Sequence, residues 1–272
     1  MRTLLLSLAL LLCAGFAHAA HVDTVEVYSP SMRKTIKTVV VTPETYTRGQ
    51  ALPVVYLLHG YSGSYADYIR NVPGIAQDAD AYHLIIVCPD GRYNSWYFDS
   101  PADTASHYET FVSTELVGWI DEHYSTIRGR AGRAITGLSM GGHGALYLSF
   151  RHQDVFGAAG SMSGGVDLRP FPDNWDLGAQ LGPEAQYPER WETHSVINLV
   201  YLLHPHTLPL ALIIDCGTED FFYTVNMNLH QLLLERNIPH DFITRPGAHN
   251  WDYWGNSVRY QLLFFSRFFH HG

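Results

Sequence analysis

The sequence predicts an α/β fold built on a mostly parallel central sheet flanked by helices. Three observations carry that expectation. Short apolar runs bounded by Gly, Pro or Asp recur along the chain without polar alternation, which suits strands buried on both faces. Helically spaced apolar residues follow most of these runs. The composition is that of a folded domain, with 272 residues of which 46% are apolar, 16% charged and 13% aromatic. Such a chain can bury a sizeable core and is too apolar for disorder.

The N-terminus reads MRTLLLSLALLLCAGFAHAA. Arg2 is followed by an apolar run from Leu4 to Phe16, and Ala17-His18-Ala19 supplies small residues for cleavage after Ala19. That is the pattern of a secretory signal peptide, and the run is too short to span a bilayer. We therefore expect a leader over 1–19, a single domain over 20–272, export, and no stable membrane anchor.

VDTVEV and KTIKTVVVT, separated by YSPSM, predict an antiparallel hairpin. The buried strands should then be VVYLLH (54–59), LIIVCP (84–89), AITGLS (134–139), GAAGSMS (157–163), LALIIDC (210–216) and DFITRP (241–246). Helices are expected around Val112, Leu116, Trp119 and Ile120, and around Val225, Leu229 and Leu232. A last one carries Val258, Leu262, Phe265 and Phe269, with Asn256 and Ser257 as candidate caps. This βαβα series implies parallel strands with right-handed crossovers. Residues 166 to about 204 break the rhythm with Pro, Gly, Asp and Trp, so a cap-like insertion or binding loop is expected there.

The formal charge of −9 excludes a broad basic surface for nucleic acid or anionic lipid. Three cysteines exclude a disulfide scaffold. Cys88 and Cys216 each end a predicted strand and read as buried free thiols. The sixteen histidines show no zinc-type spacing, so no metal is expected.

Gly137-Leu138-Ser139-Met140-Gly141 is a G-x-S-x-G set between a predicted strand and the small-residue helix GGHGALYLSF. That setting is a nucleophile elbow, in which glycines relieve clashes at a strained turn and expose the serine hydroxyl. A serine hydroxyl needs a base and an orienting acid, which follow in the order serine, acid, histidine. Asp220 is the favoured acid, because it lies on the loop past Cys216-Gly217. Asp215 and Glu219 remain alternatives, Asp215 reading better as a buried hydrogen-bonded carboxylate. His249 lies at the carboxyl end of a predicted strand, unlike His230, His240, His270 and His271, and is the favoured base. The oxyanion donors are expected to be the Met140 N–H and the Tyr61 N–H on the LLHGYSGS loop. His143 reads as supporting rather than catalytic.

LLHG, PDG…SWYFDSP, GLSMGGHGAL, DCGTEDFF and PGAHNWDYW, in this order, resemble the esterase D and feruloyl-esterase type branch of the α/β-hydrolases. The resemblance runs from about residue 22 to the C-terminus. It implies the α/β-hydrolase fold, a triad at Ser139, Asp220 and His249, oxyanion donors at Tyr61 and Met140, and no cofactor. Aromatics near the expected active-site face, namely Trp96, Tyr97 and Trp251, are candidate substrate-binding residues. Trp254, Trp175 and Trp191 are further aromatics of the same region.

The leading functional expectation is a secreted serine carboxylesterase acting on a small or polysaccharide-linked ester, such as acetyl or feruloyl groups of plant polysaccharide. Two alternatives stand beside it. An acyltransferase would share the chemistry up to the acyl-enzyme and pass the group to a sugar hydroxyl. A non-catalytic binding member would need no triad.

Overall fold

The computed structural model describes residues 20–271. The expected leader over 1–19 lies outside the described residues. Eight strands form one sheet in the order β1-β2-β4-β3-β5-β6-β7-β8. They are β1 (His21–Ser29), β2 (Lys34–Thr42), β3 (Val54–Leu58), β4 (Ile85–Pro89), β5 (Arg133–Gly137), β6 (Ala158–Met162), β7 (Ala211–Gly217) and β8 (Asp241–Arg245). The β1–β2 hairpin is antiparallel, as its alternation predicts, and β2 joins β4 antiparallel. All pairings from β4 through β8 are parallel.

β3 is buried at all five positions. Val54, Tyr56 and Leu58 face one core, while Val55 and Leu57 face the other. A strand covered on both sides has no polar face, so its sequence is a continuous apolar run. The first core lies under α3 (Tyr108–Thr110), α4 (Val117–His123), α5 (Met140–Arg151) and α8 (Tyr223–Glu235), with a π-helical segment joining α3 to α4. The second lies under α1 (Asp67–Asn71), α2 (Ile75–Tyr82) and α9 (Trp251–His271).

Between β6 and β7 run α6 (Leu177–Leu181), α7 (Pro188–His194) and a 3₁₀ turn over Val196–Leu202. The expected insertion is therefore not a free flap. Leu177, Leu181, Trp191, Val196 and Leu199 are all buried in the first core.

Two further expectations change. The last helix starts at Trp251, so Asn256 and Ser257 lie inside it and do not cap it. Its cap is Asn250, whose Oδ1 accepts the Tyr253 N–H at 3.1 Å. On α8 the deeply buried position is Leu233, with Leu232 only partly covered. Cys88 and Cys216 are buried free thiols, as read from their strand-end positions.

Strand order runs one way from β3 to β4 and the other way from β3 through β5 to β8. A crevice therefore opens at the carboxyl ends of β3 and β5, where ligands bind in open parallel sheets.

Candidate active site

Ser139 stands at that crevice, at the sharp turn between β5 and α5. Its φ is +55° and its ψ −118°, a strained conformation for a residue with a Cβ. The surrounding backbone holds it there. Ser139 N–H donates to Met162 O at 2.9 Å, and Gly141 N–H donates to Leu138 O at 2.7 Å. The turn presses against the end of β3, so a Cβ on Gly141 would lie 2.3 Å from Leu58 O. Glycine at that position is a packing requirement.

Parallel pairing of β6, β7 and β8 brings the loops after β7 and β8 beside this turn. His249 follows β8, and its Nε2 lies 2.8 Å from Ser139 Oγ. Its Nδ1 lies 2.8 Å from Asp220 Oδ2, on the loop after β7. A carboxylate can only accept, so Nδ1 carries the proton and Nε2 is free to accept from the serine. The other oxygen of Asp220 accepts the Phe222 N–H at 2.8 Å. The Asp220 carboxylate is fully shielded from solvent, which strengthens its hold on the imidazole.

The alternative acids lie elsewhere. Glu219 is exposed. Asp215 is buried within β7, where Arg245 donates to it at 2.7 Å and Tyr253 and Ser257 also bond to it. Burial pushes its carboxyl up, and those three bonds oppose the shift. Asp215 therefore ties β7 to β8 and α9.

The loop after β3 approaches from the opposite side, because Leu58 pairs with Gly137. A Cβ on Gly60 would lie 3.3 Å from Ser139 Cβ. His59 anchors this loop. Its Nδ1 lies 2.7 Å from Gly60 O, and its Nε2 accepts the Gly91 N–H at 2.7 Å. Accepting at Nε2 needs a neutral ring, and burial lowers its pKa accordingly. Among the described residues the backbone N–H groups of Tyr61 and Met140 have no hydrogen-bond partner. Both flank Ser139, and α5 adds the positive end of its dipole.

A cavity of 520 Å³ opens over Ser139 and His249. Gly60, Tyr61, Asp67 and Asn71 line it together with the aromatic rings of Trp175, Phe221, Trp251 and Trp254. Trp251, expected as a substrate contact, therefore lines the cavity. Trp96 and Tyr97 do not. They are 1% and 0% exposed and lie beneath α5. Both have positive φ, at 52° and 61°, which turns the chain inward. Tyr97 then bonds His59 O through its hydroxyl at 3.1 Å, and Trp96 Nε1 donates to Trp175 O at 3.1 Å. Trp191 is likewise core. His143 is buried, with Nδ1 2.9 Å from Gly165 O and burial pushing its pKa down to about 3. It is a neutral packing residue of α5.

Phe221 was missed at the level of sequence. It is 51% exposed, stacks on Trp175 at 5.5 Å and 19°, and lies 4.2 Å from the His249 ring. The available signal was its place directly after Asp220 in TEDFF. Among the described residues no group of three or more His, Cys, Asp or Glu could hold a metal ion, and no helix is long and apolar enough to cross a membrane.

Comparison with known proteins agrees with this geometry. The Esterase family model matches residues 29–265. The chain belongs to the Esterase family. An esterase of Mycobacterium tuberculosis is 36% identical over 134 residues, covering 48% of this chain and 29% of that protein. The chain thus spans under a third of that relative. An acetyl esterase of Caldicellulosiruptor saccharolyticus is 24% identical over 229 residues, covering 76% of this chain and 80% of the relative. A solved ferulic acid esterase is 28% identical with a TM-score of 0.79, covering 92% of this chain and 98% of the other. The fold of this Esterase-family chain is the α/β-hydrolase fold, as the motif order implied.

Proposed function

We propose that the protein is a serine carboxylic ester hydrolase working through Ser139, His249 and Asp220. The observation that carries this reading is the imidazole of His249, held 2.8 Å from Ser139 Oγ on one side and 2.8 Å from Asp220 Oδ2 on the other. His249 Nε2 takes the serine proton as Oγ attacks the ester carbonyl. Asp220 keeps the tautomer and stabilises the imidazolium. The Tyr61 and Met140 N–H groups receive the oxyanion of the tetrahedral intermediate. His249 then gives its proton to the departing alkoxide, which leaves an acyl-enzyme on Ser139. A water, deprotonated by the same nitrogen, attacks that ester. The acid leaves, and the proton returns to Ser139.

The aromatic rings in the cavity lining support a short or aromatic acyl ester as substrate. The relatives named for acetyl and ferulic esters point the same way. The leader reading of residues 1–19 supports export, and with it an ester carried on plant polysaccharide. No cofactor enters the scheme.

The test is hydrolysis of p-nitrophenyl acetate, p-nitrophenyl butyrate and methyl ferulate by wild type and by Ser139→Ala. The expected loss in kcat is on the order of 10⁴-fold or more. Comparable rates in the two proteins refute the assignment. Adding a sugar acceptor and asking whether free acid or acylated sugar forms separates hydrolysis from transfer.

A further inference from the structure

The Tyr61 hydroxyl donates to Asp176 Oδ2 at 2.9 Å, a bond between residues 115 positions apart in sequence. Asn94 Nδ2 donates to the same oxygen at 3.2 Å. Asp176 belongs to the segment between β6 and β7, just before α6. It and its neighbour Trp175 both have positive φ, at 54° and 49°. Asp tolerates that region, whereas Trp does not adopt it without support. The support is visible, because Trp96 Nε1 donates to Trp175 O while the Trp175 indole stacks on Phe221. One strained turn thus presents an indole to the cavity and a carboxylate to Tyr61.

The backbone at Tyr61 is bracketed by the Gly63 N–H to Gly60 O bond at 3.1 Å, and the side chain has one further neighbour besides Asp176. Its ring meets Tyr93 edge-on at 4.8 Å, and the next residue, Ser62, donates its N–H to Tyr93 O at 2.7 Å. Burial and the Asp176 bond push the Tyr61 phenol above its usual range, so the hydroxyl remains a donor at neutral pH.

We propose that Asp176 is a positioning residue, which latches Tyr61 and thereby fixes the backbone N–H at that position as an oxyanion donor. This rests on the serine-hydrolase reading above. A lost oxyanion donor costs on the order of 100- to 1,000-fold in rate. An unlatched loop keeps the donor but aims it poorly, so the loss is smaller, about tenfold. Ground-state binding of a small ester does not use the oxyanion donors, so the loss falls on kcat and not on KM.

The experiment compares Asp176→Ala, Asp176→Asn, Tyr61→Phe and the double variant Tyr61→Phe/Asp176→Ala with p-nitrophenyl acetate, alongside Ser139→Ala. Each single removal of the bond is expected to lower kcat about tenfold with KM nearly unchanged. The double variant is expected to be no slower than either single one, because one bond is lost in all three. Asp176→Asn keeps an acceptor for the Tyr61 hydroxyl and retains most of kcat. Butylboronic acid, whose tetrahedral adduct on the serine uses the same donors, is expected to bind more weakly by the same factor as kcat falls.

Unchanged kcat in Asp176→Ala and Tyr61→Phe overturns the latch. So do multiplying losses in the double variant, or kcat losses without weaker boronate binding. If Asp176→Ala fails to fold, the Tyr61→Phe result with the boronate decides alone. An active Ser139→Ala would instead overturn the serine-hydrolase reading, so the two failures are distinguishable.

Discussion

Phe221 shows what a single side chain adds at this site. It lies on both Trp175 and the His249 ring, so it contributes to the cavity side while bordering the base. Aromatic contacts of this kind contribute about 0.5–1.5 kcal/mol beyond burial, or about 2- to 13-fold in binding. Phe221→Ala is expected to lower kcat/KM for methyl ferulate by a factor in that range relative to p-nitrophenyl acetate, whose acetyl group has no aromatic face to stack. Paired assays on one preparation check this, and an equal loss on both substrates would locate the effect at His249 instead. The sequence marked Ser139 and His249 because a glycine-flanked turn and a strand-end loop are local features. It did not mark Phe221, since exposure of that ring depends on a partner 46 positions away in the chain, Trp175. The reverse error, at Trp96 and Tyr97, has the same origin. A loop after a strand ordinarily exposes its aromatics, and two successive positive φ values reverse that without any glycine to signal it.

At the scale of elements, the sequence read best where one element buries two faces or one stripe. The six apolar runs became β3 to β8; for β3 to β7 this is because a strand covered on both sides leaves no polar face to disguise it, whereas β8, expected to be buried, is the edge strand and is only partly covered. Helix starts read less well. Asn256 and Ser257 read as candidate caps, yet both lie inside α9. The helix therefore begins two turns earlier, and those turns carry Trp251 and Trp254 to the cavity. The insertion over 166–204 was legible as an interruption, but its packing was not. Its buried residues answer to distant strands and helices and follow no simple period. The nucleophile turn offers a test at this scale. Gly141→Ala drives a methyl group to 2.3 Å from Leu58 O and 2.6 Å from His59 O. Neither is a flexible side chain, so β3 and α5 must separate. Overpacking of this kind typically costs about 1–3 kcal/mol. We expect a lower urea midpoint together with a larger loss of kcat than of stability, because the shift also moves Ser139 against the Tyr61 loop. Retention of full activity would show that this contact is soft.

For the whole molecule, the helical layer that carries the nucleophile is held by a cluster around the buried Glu109 carboxylate, outside the cavity lining. Glu109 of α3 receives bonds from Arg151 at 2.7 Å, from Tyr147 at 3.1 Å and, when the ring nitrogen is protonated, from His152 at 2.8 Å. Tyr147 and Arg151 belong to α5, so this one carboxylate couples the α3–α4 segment to the helix that starts at Ser139. Burial alone would raise the Glu109 pKa. The His152 and Arg151 bonds outweigh it and hold the carboxyl down at about 2. A carboxylate whose folded pKa lies below its unfolded value stabilises the fold above the unfolded value, and that contribution disappears as pH falls through the folded one. The unfolded value is near 4.5, so the window runs from about pH 4.5 down to about pH 2. The contribution at stake is on the order of 3 kcal/mol. Urea unfolding of the wild type is therefore expected to weaken steadily across that window. Glu109→Gln keeps the shape and, through its one amide oxygen, the Arg151 bond, while its amide N–H faces the Tyr147 oxygen and the titration is removed. It should be less stable than wild type at pH 6 and should show a shallower decline in stability between pH 4.5 and pH 2. Parallel pH profiles for the two proteins would mean that other carboxylates govern acid unfolding, and that the α3–α5 coupling rests on packing around Phe111 and Leu146 instead of on this charge.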